Sequence, residues 1–189
     1  MRVLQSIRPN HEAARVLDVG CGEGSSLITF LRLGFVPGNL YGVDLQESRI
    51  QQAKGRCPGM SFQCGDAAKL DYANGSFDLV CETTMFIHSV DDDLSQKIAG
   101  EMLRVTKPGG HILLSDWRYS KPGSAAQRAV TQKRIAELFQ ISRQTSRCGV
   151  FAGPLLPPVG LFFSRRWPSA YFLVRGLFPF LVTGDHGVA

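Results

Sequence analysis

Val16-Leu17-Asp18-Val19-Gly20-Cys21-Gly22-Glu23-Gly24 is the stretch whose reading decides the fold. Its apolar start reads as a buried strand, and the three alternating glycines read as a tight turn into a helix. Glycine reaches backbone angles closed to other residues and lets backbone N–H groups come close to a ligand. Ser25 to Leu33 follows, with Leu27, Ile28, Leu31 and Leu33 on roughly one helical face. A ligand in such a turn meets the free N–H groups and partial positive charge of the helix start. A turn that only packs strand against helix is the alternative for any motif of this kind. The spacing narrows the choice. A dinucleotide fingerprint puts its third glycine three residues after the second, whereas here Gly24 follows Gly22 by two.

Outward from that turn the chain alternates strand-like and helix-like segments, which predicts an α/β fold. Leu40–Val43 is a short apolar run ending at Asp44, and Ser48 to Arg56 is helical up to Cys57-Pro58-Gly59. Met60–Cys64 alternates like a strand and leads to Gly65-Asp66, while Phe77–Cys81 is the next strand and meets Glu82. Asp91-Asp92-Asp93 supplies an N-cap and favourable charge for a helix running through Val105. Thr106-Lys107-Pro108-Gly109-Gly110 then breaks the chain before a fifth strand, His111–Leu114, and residues 124–140 are expected to be helical. The architecture implied is a Rossmann-like, doubly wound, mostly parallel sheet with helices on both faces, closed by an incomplete antiparallel hairpin.

In such sheets ligands sit beyond the carboxyl ends of the strands. Asp44, Asp66, Glu82 and Asp116 end four of the five expected strands, and Asp18 lies near the end of the first. Any one of them has a ready explanation as a loop or helix cap. As a set along one edge they point to a ligand, because charges there are costly unless solvated or paired.

The 189 residues suit a single domain, with a cofactor-binding core over about 15–120 and a substrate-facing segment over about 121–189. Five cysteines, with no Cys-x-x-Cys spacing, indicate neither a disulfide framework nor a metal site and fit a cytoplasmic location. No apolar leader or spanning run of roughly 18 residues is visible. Residues 1–116 hold 11 basic and 14 acidic side chains, and residues 117–189 hold 10 basic and 2 acidic. The basic third serves equally well as a solubilising surface or as a face for an anionic partner.

The Asp-x-Gly-x-Gly-x-Gly arrangement resembles motif I of the class I S-adenosylmethionine-dependent methyltransferases. Over about residues 15–120 the chain is similar to their small-molecule "type 11" branch. The resemblance implies that Asp18, Gly20, Cys21, Gly22 and Gly24 cradle the methionine part of the cofactor. Asp44, with Leu45 beside it, stands where the family's acid receives both ribose hydroxyls, a task suited to two acceptor oxygens. Gly65-Asp66-Ala67 matches the adenine-holding segment, with Asp66 accepting from the exocyclic amine and the Ala67 N–H meeting a ring nitrogen. Leu103–Gly110 matches the lead into the fifth strand. Glu82 is implied to lie near the sulfonium or the acceptor.

The implied reaction is direct displacement at the methyl carbon. Alignment of the acceptor supplies most of the rate, an effect worth ~7–11 kcal/mol when geometry is good. His88 is the candidate base for a weak nucleophile, with a hydrogen-bonded structural role as the alternative. Cys81-Glu82-Thr83-Thr84 lacks the Asn/Asp-Pro-Pro-Tyr/Phe motif of nucleic-acid amino-methyltransferases, which favours a small-molecule or glycan acceptor over nucleic acid. In the carboxyl third, phenylalanines interleave with Arg143, Arg147, Arg165, Arg166 and Arg175, which core packing explains and peripheral membrane contact explains as an alternative. Pro154–Pro158 is expected to be a loop over the site, and the ending Thr183–Ala189 does not resemble a full last strand. Two rival functions stand beside the enzyme: a cofactor-binding scaffold or regulatory protein without transfer, and a nicotinamide dehydrogenase, which the glycine spacing disfavours.

Overall fold

Four consecutive buried side chains make Val16–Val19 the strand β1, as an apolar run covered on both faces requires. A computed structural model describes residues 11–118, 120 and 125–140, together with the backbone of two later strands. After β1 come α1 (Ser25–Arg32), β2 (Leu40–Asp44), α2 (Glu47–Arg56), β3 (Ser61–Cys64) and β4 (Phe77–Thr83). The chain continues through α3 (Asp92–Val105), β5 (Thr106–Asp116), α4 (Gln132–Leu138), β6 (Cys148–Leu155) and β7 (Val182–Val188).

The strands form one sheet in the order β3-β2-β1-β4-β5-β7-β6. Strands β1 to β5 pair in parallel, whereas β7 runs antiparallel to both β5 and β6. Strand order reverses between β1 and β4, and such a reversal opens a crevice at the carboxyl ends. The period of two along each strand divides the core. Val16, Leu79 and Cys81 face one cluster with Leu27, Phe30 and Ile50. Leu17, Val19 and Val80 face the other with Ile98, Met102 and Ile135. Helix α3 starts as expected, with the Asp91 carboxylate accepting from Asp93 N at 2.9 Å and Leu94 N at 3.3 Å.

Four expectations need correction. The Thr106–Gly110 break lies within β5, where it appears as a shift in pairing register between Phe77 and Leu79 of β4. Of the expected helix over residues 124–140, the described part, 125–140, is helical only over Gln132–Leu138. The preceding N–H groups bond elsewhere: Arg128 N to Ile87 O at 2.8 Å, Ala129 N to Ser120 Oγ at 2.7 Å and Val130 N to Trp117 O at 2.9 Å. The glycine-bearing tail is a strand between two partners, with Gly184 opposite Asp116 and Gly187 opposite Leu113. Its backbone ladder, which glycine can join, substitutes for the alternating side chains that usually mark a strand. Pro154 ends up inside β6, just where its pairing with β7 slips, and the rest of the proline-rich stretch lies outside the described residues. The interleaved arginines and phenylalanines from Arg143 to Arg175 fall outside them too, apart from the β6 backbone. Among the described residues no helix is long and apolar enough to cross a membrane.

Candidate active site

The glycine turn is held against β2. Gly20 N and Cys21 N both donate to Val43 O, at 2.8 and 3.0 Å, and Gly24 N donates to Cys21 O at 2.9 Å. Gly22 adopts φ +53°, and a Cβ built there meets nothing nearer than Arg49 Nη1 at 4.0 Å. The space beside its Cα is therefore open, and its backbone angle suits only glycine well. Gly22 N donates to Asp44 Oδ2 at 2.9 Å, and Gln46 N donates to Asp44 Oδ1 at 2.9 Å. The Cys21 side chain is buried against Gly42, so this residue offers the site its backbone rather than its thiol.

Besides Asp44 on β2, three carboxyl groups are buried at the ends of the next strands across the sheet: Asp18 on β1, Glu82 on β4 and Asp116 on β5. Asp18 stands opposite Cys81 and Val19 opposite Glu82 across the β1–β4 ladder, so the two acids leave opposite faces of the sheet at its carboxyl edge, close enough for the Asp18 charge to act on Glu82. Burial pushes the Asp18 carboxyl up to about 7, offset in part by the Cys81 thiol, whose Sγ lies 3.7 Å from Oδ1. Burial, reinforced by the neighbouring Asp116, pushes Glu82 well above the usual carboxylate range. Asp116 is pushed up to about 6 by burial, while the N–H groups of Trp117 and Ile87, donating at 2.7 and 2.9 Å, oppose the shift. Asp18 Oδ2 and Glu82 Oε1 are buried without a hydrogen-bond partner among the described residues. A buried polar atom in that state costs about 1–3 kcal/mol. Oxygens of this kind suit a ligand that brings N–H donors and positive charge.

The remaining sequence candidates surround this centre. Gly65 N donates to Asp44 O at 3.0 Å, which sets Asp66 and Ala67 beside the end of β2. Asp66 is exposed, and its Oδ1 accepts from Ala68 N at 2.8 Å. Leu45 is 74% exposed, unusual for a leucine next to a buried acid. His88 is exposed, donates its backbone N–H to Met85 O at 3.1 Å, and its charge favours ionisation of Asp116. Thus Asp18, Gly20 to Gly24, Asp44, Leu45, Asp66, Ala67 and Glu82 gather at one edge, with His88 at its β5 side.

Sequence reasoning passed over Met85 and Arg134, and it placed Asp116 only as one of the strand-end acids along the ligand edge. Met85 packs on the turn, its Sδ 3.1 Å from the position a Cβ on Gly20 would take. Nothing in a lone methionine after a strand signals that contact. Asp116 was visible as a strand-end acid, but its bond to Ile87 N reaches across 29 residues. Among the described residues no group of three His, Cys, Asp or Glu side chains is arranged to hold a metal ion.

A family model described as a methyltransferase domain matches residues 16–110, from the start of β1 into β5. The chain belongs to the class I S-adenosylmethionine-dependent methyltransferases. This methyltransferase domain is 35% identical over 134 residues to a demethylmenaquinone methyltransferase of Renibacterium salmoninarum, covering 70% of this chain and 53% of the relative. It is 29% identical over 136 residues to a phthiotriol/phenolphthiotriol dimycocerosates methyltransferase of Mycobacterium leprae, covering 69% and 48% respectively. The chain spans about half the length of the curated relatives it matches. Among solved structures, a methyltransferase from Methanosarcina mazei superposes with a TM-score of 0.65 at 18% identity, over 96% of this chain and 95% of that one. The cyclase SpnF shares the fold as well, with a TM-score of 0.63 at 16% identity, over 99% of this chain and 80% of that one. The family's cofactor, S-adenosylmethionine, carries the ammonium group and vicinal diol that the orphaned oxygens and the Asp44 carboxylate are chemically suited to receive.

Proposed function

We propose that the protein transfers a methyl group from S-adenosylmethionine to a small-molecule acceptor. The observation that carries the reading is the Asp44 carboxylate tied to Gly22 N beside open space, a strand away from the buried, half-satisfied Asp18. Each Asp44 oxygen spends one acceptor position on a backbone N–H, leaving capacity for the two ribose hydroxyls. Asp66 and Ala67 hold the adenine. Gly20, Gly22 and Gly24 give the methionine part close backbone approach, with Asp18 and Glu82 receiving its ammonium group. Leu45 covers the nucleoside with an apolar side chain.

When bound, the cofactor supplies an electrophilic methyl group on a sulfonium centre. The chain's own work is alignment and exclusion of water, for which the buried acids and the packed turn supply rigidity. His88 lies on the acceptor side, beside Asp116, and takes a proton where the acceptor is a weak nucleophile. The relatives are named for quinone and lipid substrates, which supports an acceptor of low molecular weight. A glycan acceptor and peripheral contact of the basic carboxyl third with a membrane are further arms of the same reading.

Incubation with methyl-labelled S-adenosylmethionine and a panel of quinols, phenols, amines and sugars tests it. Label transfer accompanied by S-adenosylhomocysteine release is expected for at least one class. Binding without transfer to any of them favours the scaffold, since a fold does not by itself fix a function.

A further inference from the structure

Arg134 is 4% exposed on α4; its two terminal nitrogens donate to three backbone carbonyls and one hydroxyl, while Nε has no hydrogen-bond partner among the described residues. Nη1 donates to Phe86 O at 3.1 Å and Arg128 O at 2.9 Å, while Nη2 donates to Ser89 O at 2.5 Å and Ser95 Oγ at 3.3 Å. Among the described residues no carboxylate lies in hydrogen-bond contact with it, since Asp92 Oδ1 is 3.9 Å from Nε and pairs with Arg128 instead. A buried cation is costly, and an apolar side chain of similar volume would fill the same space without that cost. What the arginine adds is a forked grip on two carbonyls of the loop that follows β4.

That loop is strained and needs holding. Thr84 is β-branched yet sits at φ +58°, a conformation that persists only where the surroundings enforce it. Thr84 N donates to Ser115 O and Met85 N to Glu82 Oε2, each at 2.9 Å, and Asp116 takes Ile87 N. Arg134 closes the far side at Phe86 and Ser89. Held between these points, Met85 rests on Gly20, with Sδ at 3.1 Å and Cβ and Cγ at 3.3 Å from the position of an added Cβ.

We propose that Arg134 is a positioning residue for the cofactor's methionine end, acting through the Thr84–Ser89 loop to hold Met85 against the glycine turn. The proposal rests on the function stated above. It separates the two halves of the cofactor site, because among the described residues no hydrogen bond joins Asp44 or Asp66 to this loop. A merely structural arginine has no reason to discriminate between those halves.

Calorimetric titration of the full chain with S-adenosylhomocysteine and with 5′-methylthioadenosine, which lacks the aminobutyrate end, reads this directly. Arg134→Gln is expected to weaken S-adenosylhomocysteine binding by about tenfold while 5′-methylthioadenosine stays within about twofold. Arg134→Lys, which retains charge and donors, is expected to recover part of the loss. Thr84→Gly relieves the strained angle at an exposed position and loosens the loop, so it is expected to show the same selective loss and carries the test if Arg134→Gln fails to fold. Equal losses for both ligands, or none for either, overturn the proposal while leaving the functional reading intact. A wild-type chain that binds neither ligand removes that reading and the proposal together.

Discussion

Asp44 and Gly22 are joined by a 2.9 Å hydrogen bond that makes the acid ending β2 a structural member of the glycine turn. The carboxylate is 8% exposed and holds Gln46 N as well. One side chain thus shapes the turn and, in the proposed function, also receives the ribose.

Asp44→Ala is accordingly expected to act on binding and stability together. It strips two amides of a charged acceptor, each such bond contributing about 1.5–3 kcal/mol. Affinity for S-adenosylhomocysteine falls by at least about tenfold and the melting temperature drops, whereas a position on an exposed edge would spare the fold. Unchanged affinity by titration contradicts the ribose role.

Gly22→Val separates folding from binding. A valine at φ +53° costs roughly 1–2 kcal/mol, but its side chain has room, so the domain folds. Binding of S-adenosylhomocysteine is lost because the branched side chain occupies the space the ligand needs. Circular dichroism with a parallel titration checks both halves, and retained binding shows that the turn does not approach the ligand.

Acidity offers an independent readout. Burial holds Asp18 up to about 7 and Asp116 up to about 6, against ordinary values of 3.8. The folded chain keeps protons there that the unfolded chain has already released, so these groups remove stability as pH rises from about 4 to about 7. Asp92 and Glu101, held low by Arg128 and Arg104, act oppositely but only below the unfolded carboxylate range. A cationic amino group favours ionised Asp18, so the thermal shift produced by S-adenosylhomocysteine grows over the same window. Melts from about pH 5 to about pH 8, with and without ligand, measure both trends. A ligand-induced shift that shrinks as pH rises contradicts the assignment of Asp18.

Arg104 provides the control. Its guanidinium donates to Leu70 O at 2.8 Å, Tyr72 O at 2.7 Å and Asn74 Oδ1 at 2.9 Å, fastening the chain that leads into β4. Arg104→Ala is expected to destabilise by about 2–3 kcal/mol with cofactor affinity unchanged. Chemical denaturation alongside titration distinguishes the two effects.

The parallel core was legible because its signals are local: the buried run at Val16–Val19, glycines at fixed spacing, and acids where strands stop. The same locality explains the errors. Residues 125–131 carry helix-compatible side chains, but the amides of Arg128, Ala129 and Val130 are claimed by Ile87, Ser120 and Trp117, which no window of sequence reveals. The β7 tail pairs on both edges, so its backbone compensates for a glycine-rich pattern that reads as a poor strand. Within the site, Asp18, Asp44 and Glu82 were readable from type and position. Arg134 was not, because its partners Phe86 and Ser89 lie 48 and 45 residues away and offer only carbonyls.

The most direct test of the central claim is a crystal of the wild-type chain grown with S-adenosylhomocysteine. The account predicts the ribose hydroxyls on Asp44, the amino group beside Asp18, and the sulfur near Glu82 and Met85. A ligand bound elsewhere, or bound in this crevice without touching Asp44 or the Gly20–Gly24 turn, contradicts it.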